Sequence, residues 1–409
     1  MAKPKIGCIM RGGFPEIAAM QSLYILLKWL KGEGLPYPHH FGGLSMGSYI
    51  ATIGAMGTLS HVARGVEVMF NLSPGKISKY SPWLKIFLGA LGMSFLTPLL
   101  PTHTRTGKGL ATAGALTLGV AALYGAYKAP SLRSNKPLLQ LLEDTMDTEA
   151  ILIGKYRKEL DIAVFDKNRN ETMLCVNYDP PEETGHCFGE PYEFFRMRTN
   201  NDVLVSLLGS GAVPGFIKSV TVNDKKTGDG GIDPLATLIL FTNAIRRGCN
   251  ILFVFLETSE IKSEEGNADT ALKNTVRYFE IMATLAMYSS IDRGICAVKD
   301  AGISNEITQA LIKMSSVLTN QKLKKKFPHT HDAVETGIDT IYRLLQTYSF
   351  GELPPVEVVM VDSGITDYPP CSFKSFTQED LNEFKNMGSL AARRAIPKLA
   401  EAVKKVALL

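Results

Sequence analysis

The chain has 409 residues, of which 45% are hydrophobic and 21% are charged, and its formal net charge at pH 7 is +4. This composition is typical of a globular protein with a large core, and it excludes a disordered chain. The net charge is too small for this length to indicate binding to nucleic acid.

The cysteines and histidines are scattered along the chain. None of the six cysteines forms a Cys-x-x-Cys pair, which favours buried thiols in a reducing compartment over a disulfide scaffold or a zinc site. The pairs His39–His40 and His329/His331 have no carboxylate at the helical spacing of a metal site, so we interpret them as polar loop residues. Residues 1–5 lack the pattern of a Sec signal peptide, and we expect a cytoplasmic protein that is free or peripherally bound to membranes.

The first elements alternate between strand and helix. The apolar residues 6–10 predict a buried strand, which Gly12 and Gly13 end. A helix is predicted over 15–29, because proline suits the first turn and glutamate suits the positive end of the helix dipole. A second short strand at His40 and Phe41 then leads to another helix over 49–55. This order predicts a central, mostly parallel α/β sheet that is flanked by helices.

A serine lies between that second strand and its helix. Residues 43–47 read Gly-Leu-Ser-Met-Gly, which matches the Gly-x-Ser-x-Gly pattern of a sharp strand-to-helix turn. Such a turn strains the backbone of the serine and needs small flanking residues. Ser45 is therefore a candidate nucleophile, with a helix N-terminus beneath it for a developing oxyanion. Taken alone, the stretch is equally consistent with a Gly/Ser-rich loop.

Residues 80–130 form an apolar insertion. The stretch between Lys85 and Arg105 and the stretch 109–127 contain no Lys, Arg, Asp or Glu, and each approaches the length of a membrane span. Prolines interrupt the first stretch, and the second is rich in Gly, Ala and Thr. Integral insertion, an interfacial cap or lid, and ordinary buried helices all remain open, and we expect peripheral membrane contact through 84–127.

The rest of the chain divides into a β-rich part and a helical part. Two strands joined by a turn at 166–170 are expected within 161–178, and later elements are a helix at 202–208, a short strand ending at 222, a helix at 234–247 and a strand at 251–256. Beyond these, we expect helices at 268–289, 305–318 and 332–348, a strand at 356–361, and an amphipathic helix at 378–409 that breaks near Pro397. We therefore expect an α/β catalytic domain over 1–260 and a mostly helical region over 261–409 that packs on it.

Three small-residue motifs follow predicted strands. They are the pair Gly12–Gly13, the Ser45 turn, and an Asp-Gly-Gly sequence that begins at Asp229. In open α/β folds, ligand sites lie at the carboxyl ends of the strands, so we expect the three motifs at one edge of the sheet. Taken alone, Gly12–Gly13 favours a tight turn and Asp229-Gly230 favours a hairpin turn over a functional site.

The order and spacing of these motifs resemble the patatin-like phospholipases over roughly residues 5–256. The segment 210–216, with small residues and a proline, is also similar to the one that precedes the aspartate of that family. The resemblance implies a Ser-Asp dyad of Ser45 and Asp229, with an oxyanion hole at Gly12 and Gly13. It implies a lipid acyl hydrolase, of phospholipase A or lysophospholipase type, that acts on phospholipid or another acyl ester through an acyl-enzyme, without a metal or cofactor.

The first loop departs from the pattern of that family, which is usually Gly-Gly-Gly-x-Arg-Gly. Pro15 stands at the position of the arginine and Glu16 at that of the last glycine. Proline has no N–H to donate, and the loss of one oxyanion donor costs on the order of 100- to 1,000-fold in rate. A catalytically silent patatin-like protein that binds lipid or a protein partner is therefore an alternative. A Ser-His-Asp α/β-hydrolase using His329 or His331 is another, although the elbow of that fold usually follows several strands.

Overall fold

The computed structural model describes residues 4–12, 16–73, 79–80, 133–180, 184–187, 190–212, 218–233, 235–255, 356–363 and 376–408. Several predictions lie outside the described residues: the apolar stretches of 84–127, the helices expected between 268 and 348, and His329 and His331. Gly13 and Pro15 of the first loop also lie outside them. The division into two domains at residue 260 stays a prediction.

Strands and helices alternate along most of the described chain. The helices are α1 (Ile17–Gly32), α2 (Met46–Ala55), α3 (Leu59–Phe70), α4 (Lys136–Thr145), α5 (Thr148–Leu152), α6 (Asn200–Ser210), α7 (Ala236–Arg246) and α8 (Gln378–Leu408). The strands are β1 (Ile6–Met10), β2 (His40–Leu44), β3 (Lys79–Tyr80), β4 (Arg133–Ser134), β5 (Glu159–Asp166), β6 (Glu171–Val176), β7 (Thr184–Cys187), β8 (Glu190–Arg196), β9 (Thr221–Val222), β10 (Lys225–Asp229), β11 (Ile251–Phe255) and β12 (Glu357–Val361).

Ten of these strands form one mixed, mostly parallel sheet, and the predicted α/β class is confirmed. The order is β12-β11-β1-β2-β5-β6-β8-β7, with β10 paired to β5 and β9 paired to β10, whereas β3 and β4 pair separately. Strands β12, β11, β1, β2 and β5 run parallel to one another, whereas β6 is antiparallel to β5. Every residue of β1, β2 and β11 is buried, as expected for parallel strands that are covered on both faces.

Helices cover both faces of the sheet, and the alternation of side chains along β1 shows the two layers. Cys8 and Met10 belong to the core that the sheet forms with α1, α2, α3 and α8, whereas Ile9 packs in the core on the side of α7. Successive side chains of a strand point to opposite faces, so one apolar strand supplies both cores. This explains why the strand reads as a continuous apolar run instead of an alternating one.

Strand β5 is shared by two partners along one edge. Its first five residues pair with β2 in parallel, so that Leu44 lies opposite Ala163. Its last three residues pair with β10 in an antiparallel arrangement, so that Asp229 lies opposite Val164. Because β6 covers the other edge of β5, β2 and β10 share an edge and meet end to end. Asp229 is the last residue of β10, so the Asp-Gly-Gly motif follows a strand as predicted, although this strand runs antiparallel to β5.

The C-terminal helix α8 is continuous, and the predicted break near Pro397 is wrong. The helix runs through Pro397, and its buried residues, which include Leu399 and Val406, belong to the core that also contains α1. Proline removes one helical hydrogen bond, to the carbonyl of Arg393 four residues earlier. Both Pro397 and Arg393 are exposed, so water can hydrate the freed carbonyl while packing on the opposite face keeps the helix intact.

A buried polar cluster lies at the amino ends of β2 and β5. His40 belongs to it, within the strand predicted at His40 and Phe41, so the interpretation of this histidine as a polar loop residue is wrong. His40 is the first residue of β2 and is fully buried, with Nε2 3.0 Å from Asp161 Oδ2. Asp161 also accepts hydrogen bonds from Tyr178 and Asn243 at 2.7 and 2.6 Å. Asp161 follows His40 by more than a hundred residues, so no local sequence pattern predicts their contact. His39, by contrast, is partly exposed.

Two further findings concern the described chain as a whole. Cys8, Cys175 and Cys249 are buried free thiols, which confirms the prediction for these three. Within the described ranges, no helix combines the length and the apolar character needed to cross a membrane.

Candidate active site

Ser45 occupies a sharp turn between β2 and α2, as the sequence predicts. Its backbone has φ 51° and ψ −128°, a conformation that residues other than glycine rarely adopt. The flanking glycines allow the close packing that this turn requires. A Cβ atom on Gly43 would lie 2.5 Å from the Gly47 carbonyl oxygen, and one on Gly47 would lie 2.0 Å from the Arg11 carbonyl oxygen. The Gly-x-Ser-x-Gly pattern is thus required sterically in this fold.

Hydrogen bonds hold the backbone of Ser45 on both sides. The Ser45 carbonyl accepts from the Ser48 hydroxyl at 2.6 Å and from the Ser48 amide at 3.1 Å. The Ser45 amide donates to the hydroxyl of Ser210, at the end of α6, at 2.9 Å. Helix α2 begins at the next residue, Met46, so the positive end of its dipole lies beside the serine, as expected.

Asp229 and Ser45 are in direct contact. The Ser45 hydroxyl donates to Asp229 Oδ2 at 2.7 Å across a separation of 184 positions in the chain. The other carboxylate oxygen, Oδ1, accepts from the Gly231 amide at 2.8 Å. Both oxygens are therefore bound, and the carboxylate is fixed with one oxygen directed at the serine. This is the contact that the sequence predicts, whereas the catalytic roles of the two residues stay a prediction.

The Asp-Gly-Gly sequence forms a short 3-10 turn, Gly230–Ile232, instead of a hairpin. A Cβ atom on Gly230 would lie 2.2 Å from the Ala163 carbonyl oxygen of β5, so only glycine allows the turn to pack on that strand. Farther along, the Asp233 carboxylate accepts a hydrogen bond from Thr172 and from the Leu235 amide. The turn that follows Asp229 is thus fixed at both of its ends.

Burial changes the acid strength of Asp229. The residue is only 7% exposed, and desolvation of the carboxylate raises its pKa from 3.8 to about 6. The hydrogen bonds from Ser45 and Gly231 act in the opposite direction, because they stabilise the ionised form. The carboxylate is therefore mostly ionised near neutral pH and is a stronger base than an exposed aspartate, which are the two properties required to take a proton from a hydroxyl.

Of the two predicted oxyanion residues, Gly12 is described and lies against the serine. A Cβ atom on Gly12 would lie 2.5 Å from Ser45 Cβ and 3.1 Å from Ser45 Oγ. Strand β1 is the parallel neighbour of β2, which brings the residues after β1 beside the residue after β2. The backbone of Gly12 thus adjoins the hydroxyl, where an oxyanion donor is needed. Gly13 lies outside the described residues.

Apolar residues lie next to Ser45 and close to Asp229 in the chain. Met46 and Ser45 are partly exposed, and Ile232, three residues beyond Asp229, is 37% exposed. Leu44 is buried, with Cδ1 3.1 Å from a Cβ atom built on Gly12 and 3.5 Å from one built on Gly231. Apolar residues therefore adjoin both Ser45 and Asp229 along the chain, and Met46 and Ile232 among them are at least partly exposed. Within the described part of the chain, no group of three or more His, Cys, Asp or Glu is placed to hold a metal ion.

The role of Ser210 was missed by sequence reasoning. The residue was noticed only as the start of the segment 210–216, because nothing local indicates that its hydroxyl binds a backbone amide 165 positions earlier. Ser48 was likewise not singled out, although a hydroxyl three residues after a turn commonly binds the carbonyl of that turn.

Comparison with known proteins does not add to this geometry. No protein-family model matches the chain, and the search of curated proteins found no significant match.

Proposed function

We propose that the protein is a serine acyl hydrolase that acts through a dyad of Ser45 and Asp229, similar to that of the patatin-like phospholipases. The single observation that carries the proposal is the 2.7 Å hydrogen bond from the Ser45 hydroxyl to Asp229 Oδ2. It joins a serine in a strained, glycine-flanked turn to a buried carboxylate with a raised pKa. Perturbed carboxylates and strained residues concentrate at functional sites.

The proposed mechanism follows from these contacts. Asp229 takes the hydroxyl proton as Ser45 Oγ attacks the ester carbonyl, and the charge that develops on the carbonyl oxygen faces the N-terminus of α2 and the backbone at Gly12. The tetrahedral intermediate collapses, and the alcohol leaves with the proton from Asp229. Water then attacks the acyl-enzyme, giving its proton to Asp229, and the second collapse returns a proton to Ser45 Oγ and releases the carboxylic acid.

The proposed substrate is a phospholipid or another lipid acyl ester, cleaved in the manner of a phospholipase A or lysophospholipase. The apolar residues Met46 and Ile232, which lie close to Ser45 and Asp229 in the chain and are at least partly exposed, support this class. Peripheral membrane contact through 84–127 belongs to the same proposal and has a separate test. Deletion of 84–127 should lower binding to liposomes, and unchanged binding would remove this part of the proposal.

A catalytically silent lipid- or partner-binding protein is the second candidate, and the first loop favours it. Pro15 has no backbone N–H to donate, and Glu16 is buried at the start of α1. A silent protein can retain the contact between Ser45 and Asp229, but it cannot stabilise the transition state. The two candidates therefore differ in reactivity, which a covalent probe can measure.

The test combines a fluorophosphonate probe with hydrolysis of a phospholipid and of a short-chain ester. We expect wild type to be labelled and to hydrolyse at least one ester, and Ser45→Ala to lose both properties. Ser22→Ala is a matched control, because it removes a fully buried hydroxyl of α1 that bonds to the carbonyls of Ala18 and Gly388 and leaves the nucleophile turn untouched. Wild type that neither reacts with the probe nor hydrolyses either ester would favour the silent candidate. Equal activity in wild type and Ser45→Ala would exclude Ser45 as the nucleophile.

A further inference from the structure

The hydroxyl of Ser210 links the nucleophile turn to the central sheet. Ser210 is fully buried at the end of α6. Its Oγ accepts a hydrogen bond from the Ser45 amide at 2.9 Å and donates one to the Ala163 carbonyl of β5 at 2.7 Å. An amide N–H can only donate and a carbonyl can only accept, so the direction of both bonds is fixed. One hydroxyl therefore satisfies a donor and an acceptor that belong to different elements.

The same residue of β5 also adjoins the other half of the dyad. Ala163 pairs with Leu44, immediately before Ser45, and its carbonyl oxygen lies 2.2 Å from a Cβ atom built on Gly230, immediately after Asp229. The Ser210 hydroxyl thus ties the Ser45 backbone to the point of the sheet on which the Asp229 turn packs. Because the turns of Ser45 and Asp229 both pack on Ala163, this residue of β5 fixes the distance between the two members of the dyad.

The backbone of Ser45 needs such support. Its φ of 51° is in a sparsely populated region, and such conformations persist only where the surrounding structure holds them. The Ser48 bonds hold the carbonyl side of Ser45 from within the same turn. The Ser210 bond holds the amide side from a different helix, so it constrains the turn relative to the rest of the fold.

We propose that Ser210 is a positioning residue, which keeps the Ser45 hydroxyl aligned with Asp229 by anchoring the strained turn to β5. The inference rests on the proposed hydrolase function and adds a residue to it. Ser210 acts through the backbone of Ser45 and is not a catalytic residue. Its loss therefore lowers the rate of the chemical step and leaves substrate binding and the proton acceptor unchanged.

The test compares Ser210→Ala with Ser206→Ala. Ser206 lies one turn earlier in α6, is also fully buried, and neighbours the Cys175 thiol. We expect Ser210→Ala to lower kcat and the rate of fluorophosphonate labelling roughly 10- to 100-fold, because small misplacements of reacting groups cost up to about that factor. KM should stay within about twofold and the acid limb of the pH profile should keep its midpoint, since Asp229 is untouched. Ser206→Ala should keep kcat within about threefold of wild type.

Rates are divided by the folded fraction, measured by urea unfolding, so that lost stability is not mistaken for lost positioning. Ser210→Thr keeps the hydroxyl and should recover labelling relative to Ser210→Ala. If Ser210→Ala and Ser206→Ala lose activity equally per folded molecule, or if KM changes instead of kcat, the positioning role is refuted while the dyad stands. If wild type itself is neither labelled nor active, the proposed function fails and the role of Ser210 fails with it.

Discussion

Replacement of Asp229 by asparagine should abolish hydrolysis and stabilise the fold. Burial raises the pKa of this carboxyl from 3.8 to about 6. The folded protein therefore holds an ionised carboxylate near neutral pH at a cost that the unfolded chain does not have. Asparagine is similar in size, can accept the Gly231 amide bond, and carries no charge to desolvate.

The magnitude follows from the shift in pKa. A rise of about 2 units at about 1.4 kcal/mol per unit corresponds to about 3 kcal/mol at neutral pH. The sign follows from the direction of the shift. Below 3.8 both states are protonated and the term vanishes, whereas above about 6 the whole cost is present. Asp229→Asn should therefore unfold at a higher urea concentration than wild type near neutral pH, by about 1–3 kcal/mol, and the gap should shrink as the pH falls through 6 towards 3.8.

The assay is urea unfolding of wild type and Asp229→Asn at several pH values, with ester hydrolysis measured in parallel. Asp224→Asn is the matched control, because Asp224 lies in the exposed turn before β10, and its replacement should leave hydrolysis unchanged. A less stable Asp229→Asn, or a gap in stability that does not depend on pH, would refute the assigned burial cost. Retained hydrolysis in Asp229→Asn would refute its role as the base.

Three other predictions concern the site and the polar cluster below it. Gly12→Ala places a carbon 2.5 Å from Ser45 Cβ, so fluorophosphonate labelling should fall by about 100-fold or more. Gly211→Ala is the control, because its new carbon lies 3.7 Å from the Leu207 carbonyl oxygen, and this variant should label normally. Equal labelling of the two variants would contradict the close packing at Gly12. For wild type, kcat/KM for a neutral ester should fall as the pH drops through about 6, the pKa to which burial raises Asp229, and a limb near its ordinary value of 3.8 would contradict the burial. Burial alone lowers the pKa of His40, but Asp161 and then Glu159 outweigh it and raise the pKa from 6.5 to about 9. The folded state therefore gains stability from this imidazolium, fully below 6.5, and loses it as the pH rises through about 9. In urea unfolding, His40→Gln should be less stable than wild type, and its free energy of unfolding should not fall between pH 6.5 and about 9 as that of wild type does. The same pH dependence in both proteins would show that another group titrates in this range.

Much of the local structure was predictable because its causes are local. The apolar run 251–255 became a buried strand and the turn at 166–170 joined two strands, as their composition indicates. The turn at Ser45 was predictable for the same reason, since its glycines are required by contacts within a few residues and with the adjacent strand. Pro397 was misjudged because the rule for proline is local, whereas packing of α8 against α1 and the sheet holds the helix together.

The sequence by itself determined the kinds of groups available: a serine between glycines, an aspartate before two glycines, and apolar strands for a covered α/β sheet. Only the tertiary structure decided how they meet, by letting β2 and β10 share one edge of β5 from opposite directions. It also decided the partners of Ser210 and His40, and the pKa of Asp229. The physical reason is that hydrogen bonds and desolvation act over a few ångströms in space, and residues more than a hundred positions apart acquire that proximity only when the chain has folded.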